Sequence, residues 1–103
     1  MRISDPILTD DLRSDELTDC IERALDADLD EDIEGFYFED GFLGGHQAKR
    51  LEFHGCKFER CRFAPADIKY LYFVDALFVS CDFSNMRFHG AGFQRARFVD
   101  CRC

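Results

Sequence analysis

No continuous apolar run in the 103-residue sequence approaches the ~20 residues of a membrane-spanning helix, so no membrane partner is expected. The first residues, Met1-Arg2-Ile3-Ser4-Asp5-Pro6, carry no apolar signal segment, and a cytoplasmic location is the expectation. Six cysteines are present, none in a Cys-x-x-Cys spacing, which argues against a zinc site. A glycine-rich phosphate loop is absent as well: Gly41, Gly44 and Gly45 suit corners or close packing instead. The length is enough for one hydrophobic core.

Basic residues are scarce in the first forty positions. Fifteen Asp and Glu stand there against Arg2, Arg13 and Arg23, a net −12, whereas residues 41–103 carry ten Lys or Arg against six acids, a net +4. An acidic head therefore precedes a mildly basic body. Within the head, Leu17, Cys20, Ile21, Ala24 and Leu25 fall at helical spacing and predict an amphipathic helix over about 15–27, with Ser14 or Asp15 capping its start. The acidic run from Asp26 to Gly35 imitates a calcium loop, with Asp28, Asp30 and Asp32 alternating and Glu39 in the twelfth place. The sixth place, which needs glycine for the sharp turn, is Ile33, so the run reads as a solvated connector.

Against these absences stands an excess of phenylalanine with a period of five. Positions 38 to 98, taken every fifth residue, read Phe38, Leu43, Ala48, Phe53, Phe58, Phe63, Ile68, Phe73, Phe78, Phe83, Phe88, Phe93 and Phe98, which accounts for ten of the twelve Phe. Two residues before each centre, from residue 51 on, stands a small or apolar side chain: Leu51, Cys56, Cys61, Ala66, Leu71, Ala76, Cys81, Met86, Ala91, Ala96 and Cys101. Five residues fit neither a helical period of 3.6 nor a strand period of 2. Each unit is therefore a short extended stretch plus a corner, and its fixed repetition marks a stacked repeat.

Units such as Cys56-Lys-Phe58, Cys61-Arg-Phe63, Ala76-Leu-Phe78 and Ala96-Arg-Phe98 make the chain resemble the pentapeptide-repeat family over about residues 36–103. The resemblance implies an all-β solenoid, a right-handed quadrilateral β-helix in which four units make one coil. Residues 20 apart then stack at the ~4.8 Å spacing of neighbouring strands. On that map Cys61, Cys81 and Cys101 form one inward ladder, and Cys56 stacks with Ala76 and Ala96, so these thiols read as small core residues. Ser80 and Ser84 meet no histidine on their faces, and His46, His54 and His89 do not converge with the thiols. No enzyme, no cofactor and no metal site are expected.

Two regions follow: residues 1–35, an acidic segment whose short capping helix plugs the open top of the β-helix, and residues 36–103, about three and a half coils open at the carboxyl end. Most outward positions are polar, but Tyr70, Tyr72, Val74, Leu77, Val79 and Val99 form an apolar group there and are candidates for a partner surface. At the carboxyl end Phe83, Phe88, Phe93, Phe98, Cys101 and Cys103 are expected to lie uncovered and to pair two copies as a homodimer through residues 83–103.

The function expected is a non-enzymatic interaction scaffold with a protein partner, since repeat solenoids present rigid columns of side chains. The alternative, implied by the quinolone-resistance branch of the family, is a DNA-mimic protein that binds DNA gyrase. Such mimicry needs a continuous negative face, whereas the repeat region here is +4. Direct nucleic-acid binding through Lys57, Arg60, Arg62, Arg95, Arg97 and Arg102 is disfavoured by the neighbouring acidic head.

Overall fold

The computed structural model describes residues 6–8, 11–26, 33–45, 47–65, 67–84 and 91–102. Among the described residues the secondary structure, apart from one helix, is parallel strand, with the strands from residue 33 on paired at an interval of 20 residues. The elements are β1 (Arg13–Ser14), α1 (Leu17–Asp26), β2 (Ile33–Glu34), β3 (Phe36–Glu39), β4 (Phe42–Leu43), β5 (Gln47–His54), β6 (Lys57–Glu59), β7 (Arg62–Phe63), β8 (Asp67–Val79) and β9 (Ala91–Val99). One column runs Phe38, Phe58, Phe78, Phe98 through β3, β6, β8 and β9. A second runs Ile33, Phe53, Phe73, Phe93 through β2, β5, β8 and β9. A third pairs Leu43 with Phe63 and continues through the bridges Arg62 to Asp82 and Asp82 to Arg102. This is a β-helix-like arrangement.

The interior follows from that geometry. Strand spacing places rings of one column face to face, at centroid separations of 4.9 Å for Phe58–Phe78 and Phe78–Phe98, 5.2 Å for Phe53–Phe73 and 4.5 Å for Phe63–Phe83. Across columns the rings meet edge to face, as at Phe58–Phe63 (5.6 Å, 65°) and Phe78–Phe83 (5.2 Å, 75°). Both arrangements suit the ring quadrupole, and each contributes about 0.5–1.5 kcal/mol beyond the burial of area. Phe38, Phe53, Phe58, Phe63, Phe73, Phe78 and Phe83 are essentially fully buried.

The smaller column two residues earlier has its own regular chemistry. Each of the thiols of Cys56, Cys61, Cys81 and Cys101 donates to the carbonyl of the centre residue in the coil before, Ile33, Phe38, Phe58 and Phe78 respectively, at 3.3–3.5 Å. Each also reaches the carbonyl two residues back in its own strand. Cysteine therefore fits this place because it is small and carries a weak donor for an interior carbonyl. Burial pushes the Cys56 thiol up to about 12. The Cys81 thiol is also raised, by its contact with the Cys61 sulfur first and by burial next.

Corners complete the units. In two columns every corner residue is left-handed: Gly35, Gly55, Asp75 and Arg95 in one, Asp40, Arg60, Ser80 and Asp100 in the other. For the non-glycine residues this conformation costs on the order of 1–2 kcal/mol each. Salt bridges along the stacking direction accompany it, Arg60 Nε to Asp40 at 3.0 Å and Arg95 to Asp75 at 2.5 Å. Pro65, whose ring fixes φ near −65°, stands in the same column as Gly45 (φ +70), so that corner changes conformation between coils.

At the amino-terminal end α1 lies against the stack. Leu17, Cys20 and Ile21 are buried in the common core, with Ala24 and Leu25 partly buried against it. Asp15 marks the start, accepting from the Glu16 N–H at 2.7 Å and pairing with Arg23. Gly41 explains how the helix comes so close: a Cβ built there would lie 2.7 Å from the Leu17 Cβ and 3.5 Å from the Cys61 sulfur. Leu17 thus occupies the space that a side chain at position 41 would take.

Two expectations are corrected here. The first paired centre is Ile33 rather than Phe38, because Ile33 pairs with Phe53 and Glu34 with His54, so the repeat register reaches into the acidic head. The edge of the first coil is covered by a strand as well as by the helix: the Thr18 hydroxyl of α1 donates to the Phe42 carbonyl of β4 at 3.2 Å, and β1 takes the edge of β3. Arg13 and Ser14 pair with Phe36 and Tyr37, and the Arg13 N–H donates to the Gly35 carbonyl at 2.9 Å. The acidic run 27–32, His46, Phe88, His89 and Cys103 lie outside the described residues.

Candidate interaction surface

β8 carries Tyr70, Tyr72 and Val74 before its left-handed corner at Asp75 and Leu77 and Val79 after it. Tyr70 and Tyr72 are 48% and 40% exposed, large values for aromatic side chains on a strand that pairs with β5 at both residues and with β9 at Tyr72. Val74, Leu77, Val79 and Val99 are half-buried, so the expected apolar group is led by its two tyrosines. Lys69 Nζ lies 5.8 Å from the centre of the Tyr70 ring.

Gly92 sets the position of Tyr72. A Cβ at residue 92 would lie 2.6 Å from Tyr72 Cδ1, so the ring crosses the glycine on the next strand. Beside it opens a cleft of about 320 Å³ lined by Glu52, Tyr72, Phe73, Val74, Gly92, Phe93 and Gln94. Phe93 was expected in the carboxyl-end group and Tyr72 in the partner surface; the cleft joins them. That junction was missed in the sequence, where its one signal was the glycine in the column Glu52, Tyr72, Gly92.

Of the carboxyl-end candidates, Phe93 and Phe98 are 36% and 41% exposed and Cys101 is half-buried. Phe83 corrects the expectation of an uncovered layer: it is 1% exposed, stacked on Phe63 and abutted by the edge of Phe98 at 5.5 Å.

Two columns of the outer surface alternate in charge. Arg95 Nε and Nη2 donate to the two carboxylate oxygens of Asp75 at 2.5 and 2.8 Å, and the Ile7 N–H donates to the same carboxylate at 3.1 Å. The Arg95 hydrogen bond holds the Asp75 carboxyl below the usual carboxylate range. Arg62, Asp82 and Arg102 form a second alternating column, and Asp82 is held low by the Ser84 hydroxyl and N–H first. Towards the amino-terminal end, Arg60 reaches Glu39, Asp40 and Glu59, while the Tyr37 hydroxyl donates to Glu39 and Glu59. The bond to Glu59, then burial, raises the Tyr37 hydroxyl.

Among the described residues no group of three His, Cys, Asp or Glu side chains converges as a metal site would require, and no helix is long and apolar enough to cross a membrane. Comparison with curated proteins and with solved structures returned no match. Comparison with family profiles matches pentapeptide repeats, in eight copies, over residues 66–102. The stacking of Ile68, Phe73, Phe78, Phe93 and Phe98 on centres 20 residues away gives that repeat its physical form. Residues 66–102 of this chain belong to the pentapeptide-repeat family.

Proposed function

We propose that this chain is a non-enzymatic, cytoplasmic protein-interaction scaffold whose repeats wind as a right-handed, four-sided solenoid. The observation that carries the reading is the exposure of Tyr70 and Tyr72 on β8, beside the cleft at Phe93. Tyrosine supplies a large amphipathic contact with few rotatable bonds, and such residues dominate binding energy where partners meet. β8 pairs with β5 at both tyrosines and with β9 at Tyr72, which holds their backbone and lowers the ordering cost of binding.

Gyrase binding by DNA mimicry is the second reading. It draws support from family likeness but not from the surface, where Asp75–Arg95 and Arg62–Asp82–Arg102 alternate in sign along the stack. The test is affinity capture with the intact chain and with a Tyr70→Ser, Tyr72→Ser double variant, with DNA gyrase among the candidates probed directly. A protein retained by the parent chain and lost by a variant of unchanged melting temperature supports the scaffold. Capture of gyrase unaffected by the double variant transfers support to mimicry, and equal capture of everything by both chains removes the tyrosines from the function.

A further inference from the structure

Residues 6–8 touch the solenoid well away from the place where β1 joins it. The Ile7 N–H donates to Asp75 Oδ1 at 3.1 Å, across 68 positions of sequence, and a Cβ built on Gly55 would lie 4.0 Å from the Ile7 carbonyl oxygen. The Arg13 N–H donates to the Gly35 carbonyl at 2.9 Å. Asp75, Gly55 and Gly35 are successive corners of one column, so Ile7 sits at the level of β8 and Arg13 two coils below it. Pro6 and Leu8 are half-buried, whereas Ile7 between them is 70% exposed. Asp75 also ends the face that carries Tyr70, Tyr72 and Val74.

This anchor fixes what the residues before it can reach. An extended chain advances ~3.3 Å per residue, the same rise as a strand. Arg2 stands five residues before Ile7, as Tyr70 stands five before Asp75. Counting back from the Ile7–Asp75 contact along an extended chain therefore matches Pro6 to Val74, Ser4 to Tyr72 and Arg2 to Tyr70. In such a chain these even-numbered positions share the side on which Pro6 and Leu8 meet the stack. A guanidinium lies well over a tyrosine ring, by charge and by planar stacking. The other two arginines of the acidic head are engaged elsewhere, Arg13 over Phe36 and Arg23 with Asp15. Tyr70 and Tyr72 keep their 48% and 40% exposure with Lys69 already 5.8 Å from the Tyr70 ring centre, so surface remains for a second cation.

We propose that residues 1–6 lie along the tyrosine face of β8 with the Arg2 guanidinium over the Tyr70 and Tyr72 rings, and that a protein partner binds by displacing them. The Ile7–Asp75 hydrogen bond tethers the segment beside its site, so its effective concentration there is high and a weak contact competes. The segment screens the surface against weak partners and yields to tight ones. This rests on the scaffold reading and deepens it by naming how the same surface is regulated.

The test compares the full chain with Arg2→Ser, Arg2→Lys and a variant lacking residues 2–5. Nitration by tetranitromethane, mapped by mass spectrometry, follows Tyr70 and Tyr72 with Tyr37, the third tyrosine of the chain, as reference. Arg2→Ser and the deletion are expected to speed nitration of Tyr70 and Tyr72 about two- to fivefold, the size of an exposed cation–π contact, with Tyr37 unchanged and Arg2→Lys in between. In the full chain, nuclear Overhauser contacts are expected between the Arg2 side chain and the Tyr70 ring. Unchanged nitration in both variants overturns the proposal, as do equal acceleration at all three tyrosines, which would report a loosened fold, and Arg2 contacts to another face. Affinity capture with the same chains separates the two readings. A Tyr70- and Tyr72-dependent protein retained more strongly by Arg2→Ser than by the parent supports displacement. The same protein retained equally by both removes the covering segment and leaves the scaffold standing. Faster nitration with no tyrosine-dependent protein captured overturns the scaffold, and with it the regulation.

Discussion

At the amino-terminal end of the stack Leu17 and Ile21 of α1 are fully buried and β1 hydrogen-bonds the free edge of β3, whereas at the other end Phe93 and Phe98 stay 36% and 41% exposed on β9. The units are alike in sequence, with a large centre and a small residue two places earlier. What differs is the neighbour along the stack. A centre Phe gains its burial from the coil on each side of it, so the same residue type is core at position 78 and surface at position 98.

The comparison is tested most severely within one column. Phe78→Asp is expected to abolish cooperative unfolding, because a buried unpaired charge costs several kcal/mol against a total stability of roughly 5–15 kcal/mol. Phe98→Asp, one coil further along, is expected to keep a sharp transition with a modestly lower midpoint. Thermal melts of the two variants decide the matter, and equal losses would contradict the difference between the ends.

A smaller effect is expected at the covered end. Gly41→Val places methyl groups where Leu17 sits and should destabilise by about 1–3 kcal/mol, as overpacking of a filled site does. The loss should be read in hydrogen exchange as early opening of α1 while the β8 amides stay protected. Protection of α1 unchanged from the parent chain would show that the helix is not seated through that contact.

Thiol chemistry distinguishes the ends without changing stability much. Among the described cysteines Cys101, half-buried, should react first with a thiol reagent in the native protein. Cys56, fully buried and with its thiol pushed up to about 12, should react only as the chain unfolds. Mass mapping of partially alkylated protein gives the order, and Cys56 labelled ahead of Cys101 would reverse the assignment.

The smallest effect concerns acid. Asp75 titrates lower when folded than its ordinary value of 3.8, so the stability it contributes is present above that value and is lost as pH falls through the folded pKa. Asp75→Asn should therefore lower the melting temperature at neutral pH and flatten its fall on acidification below about pH 4. Parallel acid limbs for variant and parent would mean that the Arg95 pair contributes nothing to stability.

Much of the fold was legible because a side chain's inward or outward direction is a local property of the backbone. The five-residue period of Phe53, Phe58 and Phe63 and the apolar stripe of α1 follow from residue spacing, and the cysteine columns follow once the four-unit coil implied by the family resemblance is applied to it. The beginning of the register was less legible. Ile33 stands inside an acidic run, and charge drew the reading towards a connector although Ile33 keeps the period. The strand β1 carried no signal, since Arg13 and Ser14 alternate nothing and join the sheet through backbone hydrogen bonds that any residues supply. The candidate surface was half legible: the outward positions of Tyr70 and Tyr72 came from the period, but their meeting with Phe93 in one cleft depended on how the Tyr72 ring lies over Gly92.

By itself, then, the sequence determined which residues face inward, because hydrophobic side chains leave water in whatever coil their spacing permits, while the columns they join came with the four-unit coil that the family resemblance implies. The tertiary structure decided which layers are closed and which are open. That depends on long-range neighbours, Leu17 over Gly41 and β1 against β3, where burial is created by contact between segments far apart in the chain.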